Sequence, residues 1–404
     1  MTDLSVDAPL LSAGSSLGIN GKVAAIATAL LIGGAAALAL MISWNQAVLY
    51  LLGGFLGVTL YHALFGFTSA WRVFISDRRG TGLRAQMIML AIAVCLFFPA
   101  LSHGTLFGQP VHGEYGAVGV GMLTGAFLFG IGMQMGGGCA SGTLYSAGGG
   151  NTRMFVTLAA FIAGSTIGAR HLPWWTAQPN IGAVPLIDKL GVVPALALSL
   201  LVIAGIFALT VVLERRRHGT LVEGAATTRR GWRRFLQGPW PLIWGAVGLA
   251  LGNFATLYLA GRPWGITSAF ALWGSKIAAL GGIDVASWPY WQGARAASLQ
   301  ESVFYDITSV MDFGIMAGAL LAAAMAGKFK PQWRVPPRSL VAAVVGGLLL
   351  GYGARLAYGC NLGAYFSGIA SGSLHGWCWL VAAFIGNILG TRLRPLFGLS
   401  VEHS

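Results

Sequence analysis

Two cysteines stand at matching places in a duplicated glycine-rich pattern. Residues 125–146 read GAFLFGIGMQMGGGCASGTLYS, and residues 346–367 read GGLLLGYGARLAYGCNLGAYFS. At a constant offset Gly130 pairs with Gly351, Gly132 with Gly353, Gly138 with Gly359, Cys139 with Cys360, Gly142 with Gly363 and Ser146 with Ser367. One residue is then inserted, and Gly164-x-x-x-Gly168-x-Arg170 meets Gly386-x-x-x-Gly390-x-Arg392. A thiol is a weak donor on a polarizable sulfur. Glycine beside it lets the chain take positive φ, break a helix and leave backbone N–H groups free. Ser141 and Asn361 add a hydroxyl and an amide next to the two thiols. Weak donors at successive points suit passage of a soft anion better than one tight cationic trap.

The same thiols could instead act covalently, carrying sulfur as a persulfide or disulfide. An enzyme of that kind needs an activated thiol beside a base or a resolving cysteine, and neither is apparent near Cys139 or Cys360. No C-x-x-C pair occurs, so neither a thiol-exchange site nor a zinc site is indicated. Cys95 in AIAVCLFF and Cys378 in HGWCWL have no repeat partner and read as small apolar residues. His375 and Cys378 share a helix face but are too few for a metal. No metal and no cofactor is expected.

Two further groups could meet an anion. GFTSAW at 66–71 resembles GITSAF at 265–270, and the second lies in an apolar stretch only about a dozen residues long. A half-helix starting at Thr267 or Ser268, with Thr68 and Ser69 as counterparts, would point free N–H groups and a positive dipole end inward. The bland alternative is a Thr/Ser helix cap with no ligand. Arg355 lies in GARLAYGC, where the first copy has Gln134. A guanidinium in an apolar segment needs a counter-ion or an anionic ligand. It selects the ligand or pairs with Asp306, Asp312 or a helix C-terminus. Asp312, inside ITSVMDFGIMAGALL, could pair with Arg355 or carry a proton.

The elements that must hold these residues are membrane helices. The chain is 56% hydrophobic and 9% charged with 60 glycines, and its mean hydropathy is +0.72. Soluble domains carry about a quarter charged residues. Apolar runs near 23–43, 47–70, 85–103, 116–135, 153–172, 192–213, 241–260, 307–327, 338–356 and 375–391 are long enough to cross a bilayer. The expected fold is all-α: a polytopic membrane protein of inverted repeats, with about ten spanning helices plus re-entrant half-helices. Its parts are an N-terminal tail (1–22), a first transmembrane half (23–213), a basic linker (214–240), a second half (241–395) and a C-terminal tail (396–404). The first apolar run lacks the basic lead and short core of a signal peptide and reads as a retained helix. The four-residue glycine spacings suit close helix packing.

Charge sets the orientation. The net charge is +13, and residues 214–240 hold Arg215, Arg216, Arg217, Arg229, Arg230, Arg233 and Arg234. DRRGTGLR at 77–84 and KFKPQWRVPPR at 328–338 are also basic, whereas 104–116 has no Lys or Arg. The positive-inside rule puts the basic loops in the cytoplasm. The segments bearing Cys139 and Cys360 then cross in opposite directions, as inverted repeats that place a substrate between them. The linker's arginines serve topology or dock an acidic soluble partner; nothing independent points to nucleic acid.

The paired G-C-x-x-G segments, G-R-P-W-G-I-T-S-A-F at 261–270, and G-A-R-L-A-Y-G-C-N-L-G-A-Y-F-S-G-I followed by S-L-H-G-W resemble the YeeE/YedE family of sulfur-compound transporters. The resemblance covers most of residues 47–395, and the second half is nearest the YedE-type branch. It implies a bacterial inner-membrane importer of a small sulfur-containing anion, thiosulfate in the best-understood members, whose repeat cysteines contact the ligand's sulfur at a constriction. Cys139 and Cys360 match those positions, with Gly138, Gly359, Gly142 and Gly363 around them. No cysteine here matches the further pathway cysteine of thiosulfate-transporting members, so selenium analogues and other sulfur oxyanions stay open as substrates. Some relatives work with a small cytoplasmic sulfur-carrier protein, a fitting partner for the basic linker.

Overall fold

The computed structural model describes residues 18–222 and 231–401. Asp3, Asp7, Arg229 and Arg230 lie outside the described residues. The first part of the chain forms α1 (Gly21–Met41), α2 (Trp44–Ala63), α3 (Phe67–Asp77), α4 (Thr81–His103), α5 (Val120–Gly136), α6 (Ala140–Gly148), α7 (Thr152–Thr176), α8 (Leu186–Leu190) and α9 (Val192–His218). After the linker come α10 (Gly231–Gln237), α11 (Leu242–Ala260), α12 (Thr267–Leu280), α13 (Ala296–Gln300), α14 (Ile307–Met325) and α15 (Pro337–Leu356). A π-helical stretch (Asn361–Ser367), α16 (Gly368–Ala370) and α17 (Leu374–Leu393) complete it. Among the described residues ten helical segments are long and apolar enough to cross a membrane. Among the described residues sheet is confined to short loop strands, β1 (Thr105–Leu106) with β2 (Gln109–Pro110) and β3 (Ala117–Gly119) with β4 (Asn180–Ala183), both antiparallel.

Local chemistry sets several of the ends. Asn20 and Ser43 accept the N–H groups of Val23 and Gln46 and so cap α1 and α2. Pro336 and Pro337 open α15, and left-handed glycines 104 and 261 close α4 and α11. The apolar run expected as one span over 47–70 is in fact interrupted. Leu64 adopts φ 49° and ends α2, so Thr68 and Ser69 belong to a separate helix, α3.

The two copies of the repeat interlock. Helices α5 and α15 run antiparallel: Gly125 lies against Gly353 and Leu356, and Gly132 against Gly346 and Leu350. Each then packs on the helix that follows the other copy. A Cβ on Gly130 of α5 would overlap the Ala383 carbonyl of α17, and one on Gly351 of α15 would overlap the Phe161 carbonyl of α7. Gly164 and Gly386 make the reciprocal contacts, with Leu348 and Phe127. Backbones this close are how membrane helices associate, because apolar tails offer no hydrophobic drive between helices. A third glycine seam joins α2 to α14, where Gly53 faces Met311, Gly57 faces Ile315 and Gly318 faces Gly54.

Candidate functional site

Both cysteines sit at helix breaks of the same form. Helix α5 stops at Gly136, Gly137 takes φ 85°, and Cys139 is the N-cap of α6. In the second copy α15 stops at Leu356, Tyr358 and Gly359 take φ 61° and 154°, and Cys360 is the N-cap of the π-helical stretch. Gly137 and Gly359 meet these angles at little cost because they lack a Cβ. Cys139 Sγ lies 3.3 Å from Ser141 Oγ. The thiols are buried and within electrostatic range of one another, and α6 touches the π-helical stretch directly. By contrast Cys95 is exposed and Cys378 half-exposed.

Helices α3 and α12 bring two more uncapped N-termini to this centre. No side chain caps α3, α6, α12 or the π-helical stretch. Gly66, ahead of α3, lies near the Tyr145 hydroxyl of α6, and Phe67 meets the Tyr365 ring edge-on with centroids 6.2 Å apart. Ahead of α12, Gly265 lies against Gly363 of the π-helical stretch. Asn253 fixes that approach: its Oδ1 accepts the Trp264 N–H at 2.8 Å and its Nδ2 donates to Ser367 Oγ at 3.1 Å. Ser367 in turn donates to the Trp264 carbonyl. The starts of α3 and α12 thus pack against α6 and the π-helical stretch, the two elements that begin at the thiols, an arrangement suited to an anion.

The residues at 134 and 355 perform matching tasks. Gln134 Nε2 donates to the Thr68 carbonyl of α3 at 3.1 Å and to Asn387 Oδ1 at 2.6 Å. Arg355 Nη2 reaches Thr267 Oγ1 of α12 at 3.5 Å, while Nη1 donates to the Tyr290 hydroxyl. The guanidinium also stands over the Tyr290 ring, 5.4 Å from its centroid. The expected alternative of an ion pair with Asp306 or Asp312 is not formed. Asp306 caps α14 by accepting from Ser309, and neither carboxyl meets Arg355. Arg355 is therefore a buried cation with Nε lacking a partner.

Other candidates divide by exposure. Thr68 and Asn361 are buried, and Thr68 Oγ1 and both amide atoms of Asn361 lack partners. Gly138, Gly142, Gly359 and Gly363 are buried in the two breaks. Ser268 donates to Thr308 Oγ1 at 3.0 Å. Ser69 differs: it is exposed and lines an open cleft of about 240 Å³ with Gly66, Arg79 and Gln86. Tyr365 escaped the sequence reading. Its ring stacks on Trp379 and its buried hydroxyl lacks a partner, which costs free energy unless something else binds there. Beyond the spanning helices, Glu114 stands in the electrostatic range of Arg262, Arg355 and Arg295; burial pushes its carboxyl above the ordinary value and the arginines oppose this. Among the described residues no group of His, Cys, Asp and Glu could hold a metal.

A multi-pass helical bundle with uncapped helix ends and thiols buried inside it is the architecture of a membrane transporter. The family described as sulphur transport matches residues 62–389, and the chain belongs to it. It is 28% identical to the thiosulfate transporter TsuA of Spirochaeta thermophila over 356 residues, covering 83% of this chain and 96% of the relative. Similarity to the Escherichia coli thiosulfate transporter TsuA is 23% over 83% of this chain and 90% of the relative. The probable transporter YedE of Escherichia coli is 35% identical over 161 residues. That stretch is 38% of this chain and 39% of YedE, so the match spans about two fifths of that relative's length.

Proposed function

We propose that this protein imports a small sulfur-containing anion, thiosulfate or a close analogue, through the centre built around Cys139 and Cys360. The observation that carries the reading is the pair of buried thiols at matched helix breaks, with the uncapped starts of α3 and α12 packed against the two elements that begin at them. Helix ends supply positive potential without a strong trap, and protonated thiols offer weak donors to a polarizable sulfur. Thiosulfate fits: its terminal sulfur can lie against the thiols while its oxygens take the free N–H groups, Asn361 and Arg355. The thiosulfate transporters to which the chain is similar over most of its length support the same substrate class.

The antiparallel course of α5 and α15 and their exchanged packing support inverted repeats, with the halves at 23–213 and 241–395 related across the thiols. The basic linker is cytoplasmic by the positive-inside rule, in a bacterial inner membrane. A small sulfur-carrier protein docking on that side would receive the anion as it emerges. Covalent handling of sulfur by the protein itself is the weaker reading. The side-chain hydrogen-bond partner of Cys139 is a serine, not a base, and the breaks hold one cysteine each. Uptake of labelled thiosulfate, sulfite, selenite and sulfate into cells lacking other routes tests the proposal. Thiosulfate should enter and be competed by close analogues; entry of sulfate alone would overturn the sulfur-specific reading.

A further inference from the structure

Asp312 is a carboxyl without a partner in the middle of α14. It is fully buried, and neither oxygen accepts or donates a hydrogen bond. A carboxylate left bare in an apolar interior is costly, and intramembrane acids that persist are commonly paired or take up protons. The expected partner, Arg355, is committed to Tyr290 and Thr267.

Its position joins it to the thiol centre. On a helix, residues four apart share a face. One turn before Asp312, Thr308 accepts from Arg262 Nη2 and from Ser268 Oγ at the start of α12, each at 3.0 Å. One turn after it, Met316 lies against Gly148 at the end of α6. The stripe Thr308, Asp312, Met316 therefore runs from the α12 N-terminus to α6, the helix that begins just after Cys139. The carboxyl is in electrostatic range of the Cys360 thiol.

The titratable and charged side chains on the elements packed against α14 leave it unpaired. Tyr50, Tyr61 and His62 belong to α2, Tyr145 to α6, Lys276 to α12, Arg233 and Arg234 to α10, and Lys22 to α1. Tyr50 donates to the Leu30 carbonyl, and Lys276 to the carbonyls of Leu299 and Glu301. Asp306, on α14 itself, is engaged as the helix cap.

We propose that Asp312 binds a proton beside the anion's route, so that anion and proton move together. The inference rests on the anion-transport reading above. A neutral carboxyl lets an anion approach the thiols; a charged one repels it. Loading the proton on one side and losing it on the other ties passage to the proton gradient. It also offsets charge that would otherwise oppose entry of an anion into a negative compartment.

The test uses purified full-length protein in vesicles, with labelled thiosulfate as probe and a pH-reporting dye inside. Wild-type exchange of thiosulfate at equal pH tests the anion reading, and its absence overturns that reading and this inference together. Given exchange, an acid-outside gradient should speed uptake at least fivefold, and thiosulfate addition should acidify the lumen. For folded Asp312→Asn the ratio of uptake with and without the gradient should fall to one. Asp312→Glu should retain a ratio above one, as should Asp306→Asn. Exchange in the wild type without proton entry overturns the inference alone. So does an Asp312→Asn protein that keeps the fivefold ratio. A folded Asp312→Asn that exchanges nothing assigns the carboxyl to the anion's own route and also overturns it.

Discussion

Arg355 reaches across to the first residue of a half-helix: its Nη2 donates to Thr267 Oγ1 at 3.5 Å. Its repeat counterpart Gln134 does the same for the other half-helix through the Thr68 carbonyl. One copy thus ties its half-helix with a neutral amide and the other with a permanent cation. The bundle is asymmetric in charge at places where its packing is matched.

The proposal assigns that cation to the anion. Arg355→Gln should lower thiosulfate uptake by about 10- to 100-fold, the scale of one charge-assisted hydrogen bond at 1.5–3 kcal/mol. No salt-bridged carboxylate is left stranded by the change, because Arg355 forms no ion pair, and Glu114 keeps Arg262 and Arg295 within electrostatic range. The detergent-solubilised protein should therefore melt within about 3 °C of wild type. A large drop in melting temperature with normal uptake would show a structural cation instead.

Serine substitution separates passage from covalent chemistry. Cys139→Ser and Cys360→Ser should each reduce uptake by about fivefold, the loss of one weak contact of about 1 kcal/mol. Complete loss in a folded protein, with persulfide detectable on the wild-type thiol by mass spectrometry, would favour the enzymatic reading. Cys95→Ser and Cys378→Ser should transport normally, since Cys95 is exposed, Cys378 is half-exposed and neither stands at a helix break.

Much of this centre was legible in the sequence because it was written twice. Matched glycines pointed to the helix breaks, and the GITSAF match placed the start of α12 at Thr267 or Ser268, where the helix begins at Thr267. The ten spans followed from hydropathy. The break at Leu64 did not, since an apolar leucine in a left-handed turn leaves no compositional mark. Nor did the Gly53, Gly57, Gly314 and Gly318 seam, which lies outside the Gly-Cys repeat. Tyr290 sits in a loop 65 residues from Arg355, so only the folded chain brings them together. Asp312 was visible as a buried acid, but its lack of a partner is a property of the packing.

Glu114 supplies a pH-dependent prediction outside the spanning helices. Burial raises its carboxyl pKa above the ordinary value, against the pull of Arg262, Arg355 and Arg295. The group is neutral at acid pH and becomes negative as pH rises through that raised value. Its charge then offsets the arginines and disfavours anion entry. Glu114→Gln should leave uptake unchanged at the acid end and raise it by about two- to fivefold at the alkaline end, more so at low salt. Measured as a mutant-to-wild-type ratio against pH at equal pH on both sides, a flat line would refute it.

Asn253 tests the scaffold behind the site. It is fully buried and holds the Trp264 N–H and the Ser367 hydroxyl, so it locks the approach to α12 onto the π-helical stretch beside Cys360. Asn253→Ala leaves a buried backbone N–H without an acceptor, at about 1–3 kcal/mol. Thermal unfolding in detergent should therefore come several degrees early. Because Thr267 is positioned by that approach, uptake of the surviving folded protein should fall as well, through a raised KM more than a lowered maximal rate. Asn253→Asp keeps the acceptor for Trp264 and should recover part of the affinity. If Asn253→Ala melts early but binds thiosulfate as wild type does, α12 does not depend on this clamp.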